Sequence, residues 1–237
     1  MSIMLILMLI LSVCIHEWAH GYVAYLLGDK TAFYLKRLSL NPLRHIDVVG
    51  SLLVPCLLVM SGTQFVFGWA KPVPVNTQYF KRPNYDMLLV AMAGPLVNFL
   101  LAIVMVMIMK FMIYSSFFVF VTDSMMKVCL FFVYINVVLA IFNLIPIPPL
   151  DGSYLFLHLI PLKYRDIIYQ YSIFGLLLVV CLLSLSAVQS LFHMGVNKIV
   201  SFLVSFKLGN LFYYAIFLLF FSFYTIGYKG YFMDLII

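Results

Sequence analysis

Five consecutive residues, His16-Glu17-Trp18-Ala19-His20, set two imidazoles and one carboxylate at the spacing H-E-x-x-H. Residues four apart in a helix stand one turn apart on one face, so both imidazoles can reach a single zinc ion. Glu17 lies about 100° around the axis from His16, beside the metal without having to bind it. From there it can take a proton from a zinc-activated water and deliver it to a leaving amine. That is the chemistry of peptide hydrolysis.

Chance is a poor rival. The chain has five histidines, and of its eight acidic residues only Glu17 is a glutamate. Random placement gives the pattern in roughly 4 of 10,000 such chains. A purely structural role, polar contact between helices, would set three ionisable groups inside an apolar run, where they are costly and usually functional.

A catalytic zinc needs a third protein ligand and an open position. No further glutamate exists, so His45, His158 and His193 compete with Asp29, Asp47, Asp86, Asp123, Asp151, Asp166 and Asp234. Asp151 is the best candidate, because it follows a proline-broken helix end, and irregular backbone at membrane depth makes sense only against a cavity. The alternative for Asp151 is an N-cap of a helix over 152–160.

The elements that must position these groups are membrane spans. Of 237 residues, 65% are apolar and 9% charged. A soluble domain has about half apolar and a quarter charged residues. Nucleic-acid binding, secretion as a globular enzyme and intrinsic disorder are thereby excluded. The length suits an all-α, polytopic bundle of about five to six transmembrane helices in one integral-membrane domain, 1–237, with no separate soluble domain. Residues 1–15 have neither the basic region nor the cleavage site of a signal peptide. Cys14, Cys56, Cys129 and Cys181 lie apart in apolar runs and suggest no disulfide or metal role.

A first span is expected over 2–27, ended by Gly28-Asp29, and later ones over 87–113, 125–145, 167–190 and 211–227. Residues 46–62 are apolar but short, with Gly50 and Pro55. Pro72 and Pro74 favour a short extended, β-like segment near 68–76. Pro146, Pro148 and Pro149 end the helix before Asp151, and 191–210 reads as an interfacial helix. Ala93-Gly94-Pro95 and Asn98 suit close helix contact.

Charge bias constrains the topology. If 46–62 re-enters the membrane and returns, Lys30, Lys36, Arg37, Arg44, Lys71, Lys81, Arg82, Lys163, Arg165 and Lys229 share the inner side, leaving four basic residues outside. A full span there gives eight against six. The positive-inside rule prefers the re-entrant form, which also brings His16, His20 and Asp151 to one cytoplasmic-side depth.

His-Glu-Trp-Ala-His at 16–20, Gly-Trp-Ala-Lys-Pro-Val-Pro at 68–74, Ala-Gly-Pro-Leu-Val-Asn at 93–98 and Asn-Leu-Ile-Pro-Ile-Pro-Pro-Leu-Asp-Gly at 143–152 together resemble the site-2 protease family of intramembrane zinc metalloproteases. The resemblance covers 1–165, the core, while 166–237 adds C-terminal helices. It implies one zinc held by His16, His20 and Asp151, with Glu17 as general base and acid. It also implies that Asn143 holds the substrate carbonyl or its oxyanion, and that the segment near 68–76 pairs with unwound substrate as an added strand. Asn98 and Gly94 read as helix-packing residues. Larger members carry an inserted PDZ or an appended CBS domain, neither of which is expected here.

The implied activity is regulated intramembrane proteolysis: an endopeptidase cutting transmembrane segments of membrane proteins, in a bacterial inner membrane, near the cytoplasmic face. Helix-breaking residues in the substrate should promote cleavage, because a helix hides its carbonyls in its own hydrogen bonds. The rivals are a divalent-metal transporter and a catalytically inactive relative. The first is disfavoured because acidic groups are sparse elsewhere, the second because Glu17 is retained.

Overall fold

The computed structural model describes residues 2–60, 68–114 and 123–206. Among them there is no β-strand, and four helices are long and apolar enough to cross a membrane. The expected span over 211–227 lies outside the described residues.

Helix α1 (Ser2–Leu26) carries the motif. It ends at Gly28, whose φ of 111° is the left-handed conformation glycine supplies at low cost after a helix. A short turn, α2 (Thr31–Tyr34), follows, anchored by Asp29, whose carboxylate accepts from the Thr31 N–H at 2.9 Å. Residues Val48–Leu53 form a π-helical turn, capped by Asp47 accepting from the Val49 and Gly50 N–H groups, and run into α3 (Val54–Met60).

Helix α4 (Pro83–Tyr114) contains Pro95, and α5 (Asp123–Asn143) returns beside it. The two pack with α1 through small or branched residues at four-residue spacing, which lets backbones approach closely. On α1 the stripe is Ser12, His16, His20 and Ala24; on α4 it is Val90, Gly94, Asn98, Ala102 and Val106, all buried.

After α5 the chain turns through Pro146, Pro148 and Pro149 into a single tight turn, Asp151–Ser153, then α6 (Tyr154–Leu157), α7 (Leu162–Gln170), α8 (Ser172–Ser184) and α9 (Ser186–Ser205). The single span expected over 167–190 is thus divided. Helix α9 starts at Ser186, and its Val196 is fully buried against Ala102, Val106, Met109, Val133 and Val137. This helix packs on the bundle through Val196, and it is also long and apolar enough to cross a membrane. Leu150 packs with Val179 and Leu183 of α8, which supports the turn before Asp151. All four cysteines are free.

Candidate metal centre

α1 presents His16 and His20 on its buried face, with ring nitrogens Nε2 3.0 Å apart. The turn after α5 brings Asp151 to them: its Oδ2 lies 3.1 Å from His16 Nε2 and 3.3 Å from His20 Nε2. Residues separated by most of the chain therefore meet at one point. The N-cap alternative for Asp151 does not hold, since the turn is entered at Leu150 and has no side-chain cap.

Three features fit this point to a cation. His20 Nδ1 faces the Val90 carbonyl at 2.7 Å; that oxygen can only accept, so Nδ1 carries a proton and, in the neutral ring, Nε2 is the lone pair available to a cation. Asp151 Oδ2 is buried and has no hydrogen bond, an arrangement that is costly unless a positive charge satisfies it. Finally, a Cβ at Gly94 would overlap Nε2 of both His16 and His20. The missing side chain of Gly94 leaves open the space into which both lone pairs point.

Six of the nine other candidate ligands are engaged elsewhere, and Asp234 lies outside the described residues. His45 Nε2 donates to the Ser39 carbonyl at 2.7 Å, His158 Nδ1 donates to the Tyr154 carbonyl one turn back, and His193 Nδ1 meets the Tyr134 hydroxyl. Asp29 accepts from Thr31 and from the Asn76 N–H, Asp47 caps the π-turn, and Asp86 accepts from the Arg82 N–H. Among the described residues, His16, His20 and Asp151 form the one cluster able to hold an ion.

The carboxylate of Glu17 is half-buried beside this cluster and accepts from the Val73 N–H at 3.0 Å. Val73 belongs to the stretch 68–76, which is extended without a ladder, because prolines at 72 and 74 supply no N–H. Three more of its donors go to neighbours: Trp69 N–H to the Gly50 carbonyl, Lys71 N–H to the His45 carbonyl, and Asn76 N–H to Asp29. Arg37 donates to the Lys71 and Pro72 carbonyls at 3.0 and 3.3 Å. Asn143 turns its amide back on α5, donating to the Leu139 carbonyl at 2.9 Å.

Asn98 and Gly94 do more than pack helices: Gly94 leaves room beside the Nε2 atoms of His16 and His20, and Asn98 Oδ1 meets His16 Nδ1 at 2.5 Å. The sequence signal for both is their four-residue spacing on α4.

The model of peptidase family M50 matches residues 4–127 and 111–185. "Putative zinc metalloprotease YwhC" of Bacillus subtilis is 37% identical over 163 residues, covering 66% of this chain and 69% of that protein. The chain belongs to peptidase family M50. The site-2 protease resemblance of its motifs is thereby borne out, and the M50 chain is a zinc metalloprotease by membership. "Putative zinc metalloprotease Rip2" of Mycolicibacterium smegmatis and its namesake from Mycobacterium tuberculosis are each 29% identical over 143 residues, 60% of this chain. The M50 chain spans about half the length of those two relatives, 52% in each case. No solved structure matches it.

Proposed function

We propose that this M50 chain is an intramembrane endopeptidase that cuts membrane-spanning segments of other proteins near the cytoplasmic face of a bacterial inner membrane. His16, His20 and Asp151 hold one zinc, which when bound supplies Lewis-acid polarisation of a peptide carbonyl and makes water acidic enough to lose a proton near neutral pH. Glu17 accepts that proton and passes it to the nitrogen of the leaving amine. Asn143 holds the substrate carbonyl oxygen, whose charge grows in the transition state. The stretch 68–76 takes unwound substrate alongside the site.

The observation that carries this reading is the meeting of three lone-pair atoms within 3.3 Å, with the lone glutamate one position away on the same helix turn. Metal-dependent peptide hydrolysis needs a metal and a base in that relation. A re-entrant 46–62 is supported by the charge bias, which then sets ten basic residues on one side against four on the other. The catalytic core is 1–165, within one membrane domain over 1–237.

The test is reconstitution of purified protein with a membrane substrate. Glu17→Gln abolishes cleavage and leaves zinc bound; full activity in that variant removes Glu17 from its role. Labelling that finds residues 20 and 151 at opposite faces of the membrane overturns the whole arrangement.

A further inference from the structure

Behind His16 lies a buried polar chain that crosses three helices. Asn98 of α4, Asn136 of α5 and Ser12 of α1 are all fully buried. His16 Nδ1 meets Asn98 Oδ1 at 2.5 Å, Asn98 Nδ2 donates to Asn136 Oδ1 at 2.9 Å, and Asn136 Nδ2 donates both to Ser12 Oγ and to the Phe132 carbonyl at 2.9 Å. Ser12 Oγ in turn donates to the Met8 carbonyl at 2.9 Å.

The direction of this chain is dictated by its ends. Two backbone carbonyls, Phe132 and Met8, can only accept. Asn136 must therefore turn its NH2 toward Phe132 and its oxygen toward Asn98. Asn98 must then offer its own NH2 to Asn136, which leaves its oxygen facing His16. Reversing either amide would set oxygen against oxygen in a buried site, at the cost of unsatisfied polar groups. An oxygen facing Nδ1 requires a proton on Nδ1, so in the neutral ring the lone pair of His16 is on Nε2, which lies toward Asp151 and the space left by Gly94.

We propose that Asn98 and Asn136 are positioning residues that lock His16 in its Nδ1–H tautomer, so that Nε2 is ready for the ion before the ion arrives. The proposal rests on the reading of His16 as a metal ligand. His20 needs no such relay, because the Val90 backbone carbonyl performs the same task directly. The design converts the fixed polarity of two main-chain carbonyls into the protonation pattern of a side chain two residues removed. Partners of this kind, when lost, weaken metal binding by roughly 10- to 100-fold.

The experiment measures zinc affinity by chelator competition on the purified full chain, beside the tautomer of His16 read from 15N-histidine chemical shifts of the metal-free protein, with the signal assigned by its loss in His16→Gln. Asn98→Leu is expected to weaken zinc binding roughly 10- to 100-fold. Asn98→Asp keeps the acceptor toward His16 but gives up the donor to Asn136, so it is expected to bind zinc more tightly than Asn98→Leu and less tightly than wild type, a partial rescue that a mere packing role would not give. Asn136→Leu leaves Asn98 in place but removes its orientation, so both tautomers should appear and affinity should fall by a smaller factor. If Asn98→Leu does not fold, the tautomer of wild type and of Asn136→Leu still decides. An Nε2–H signal in metal-free wild type, or wild-type affinity in folded Asn98→Leu, overturns the relay. Loss of zinc in none of these variants nor in His16→Gln would instead overturn the metal reading beneath it.

Discussion

The backbone N–H of Val73 donates to the carboxylate of Glu17 at 3.0 Å, tying the extended stretch 68–76 to the one glutamate of the chain. One carboxylate oxygen is thus aimed by the main chain, leaving the other for a water. The same stretch that is proposed to receive substrate also sets the direction of the proposed base.

Val73→Pro tests that tie. Flanking prolines already hold the chain extended, so the substitution removes the donor with little change of backbone shape. A reduction in kcat of about 10- to 100-fold is expected, with KM and zinc content changed little. Val73→Ala keeps the N–H and should retain most of its kcat, which separates the hydrogen bond from the packing of the side chain against Gly21.

Gly94→Ala should remove zinc while the bundle stays folded. The added methyl would overlap the two Nε2 atoms that face the ion. Metal analysis of the purified variant, compared with wild type at equal helicity by circular dichroism, reads the outcome directly. Normal zinc content would mean that the ion sits elsewhere.

Gly152 sits so close to the Leu144 carbonyl that any side chain would force the turn apart, and Gly175 of α8 stands in the same relation to the Pro148 carbonyl. Gly152→Ala and Gly175→Val are therefore expected to shift Asp151 and lower both zinc content and activity, although neither residue is a ligand. Gly195, whose Cβ would meet nothing, is the control: Gly195→Ala should be silent or slightly stabilising.

Asn143→Leu should lower kcat by about 100-fold, the scale of losing one oxyanion donor, without changing bound zinc. An unaltered kcat would assign Asn143 to its helix end alone, where its amide already bonds the Leu139 carbonyl.

Treatment with a strong chelator should abolish cleavage, and added zinc should restore it. The Asp151→Ala protein should not recover at zinc levels that restore wild type. Recovery to the wild-type rate would move the third ligand to another residue.

The helical repeat made half of the centre legible before any fold was known. His16 and His20 differ by four, so a helix alone makes them neighbours. Asp151 was legible only as a charge beside a broken helix, because its partners lie more than a hundred residues away and no local spacing encodes that meeting. Asn98 and Asn136 were hidden for the same reason: a lone amide in an apolar helix looks alike whether it bonds a histidine or another helix. The break between α8 and α9 is marked only by Ser184 and Ser186 on either side of Leu185, small polar residues that a continuous span also tolerates. The π-turn at 48–53 was invisible too, because its cap at Asp47 reads the same before any kind of helix.

The first helix supplies two sides of the clamp and the turn after α5 supplies the third, with 151 the last of these positions to be synthesised. At ordinary translation speeds the ribosome needs on the order of ten seconds to travel from the second histidine to that aspartate. During that interval the nascent chain holds an unfinished, low-affinity claw. A chain that stops short of residue 151 would therefore carry only two of the three proposed ligands and could not complete the proposed site.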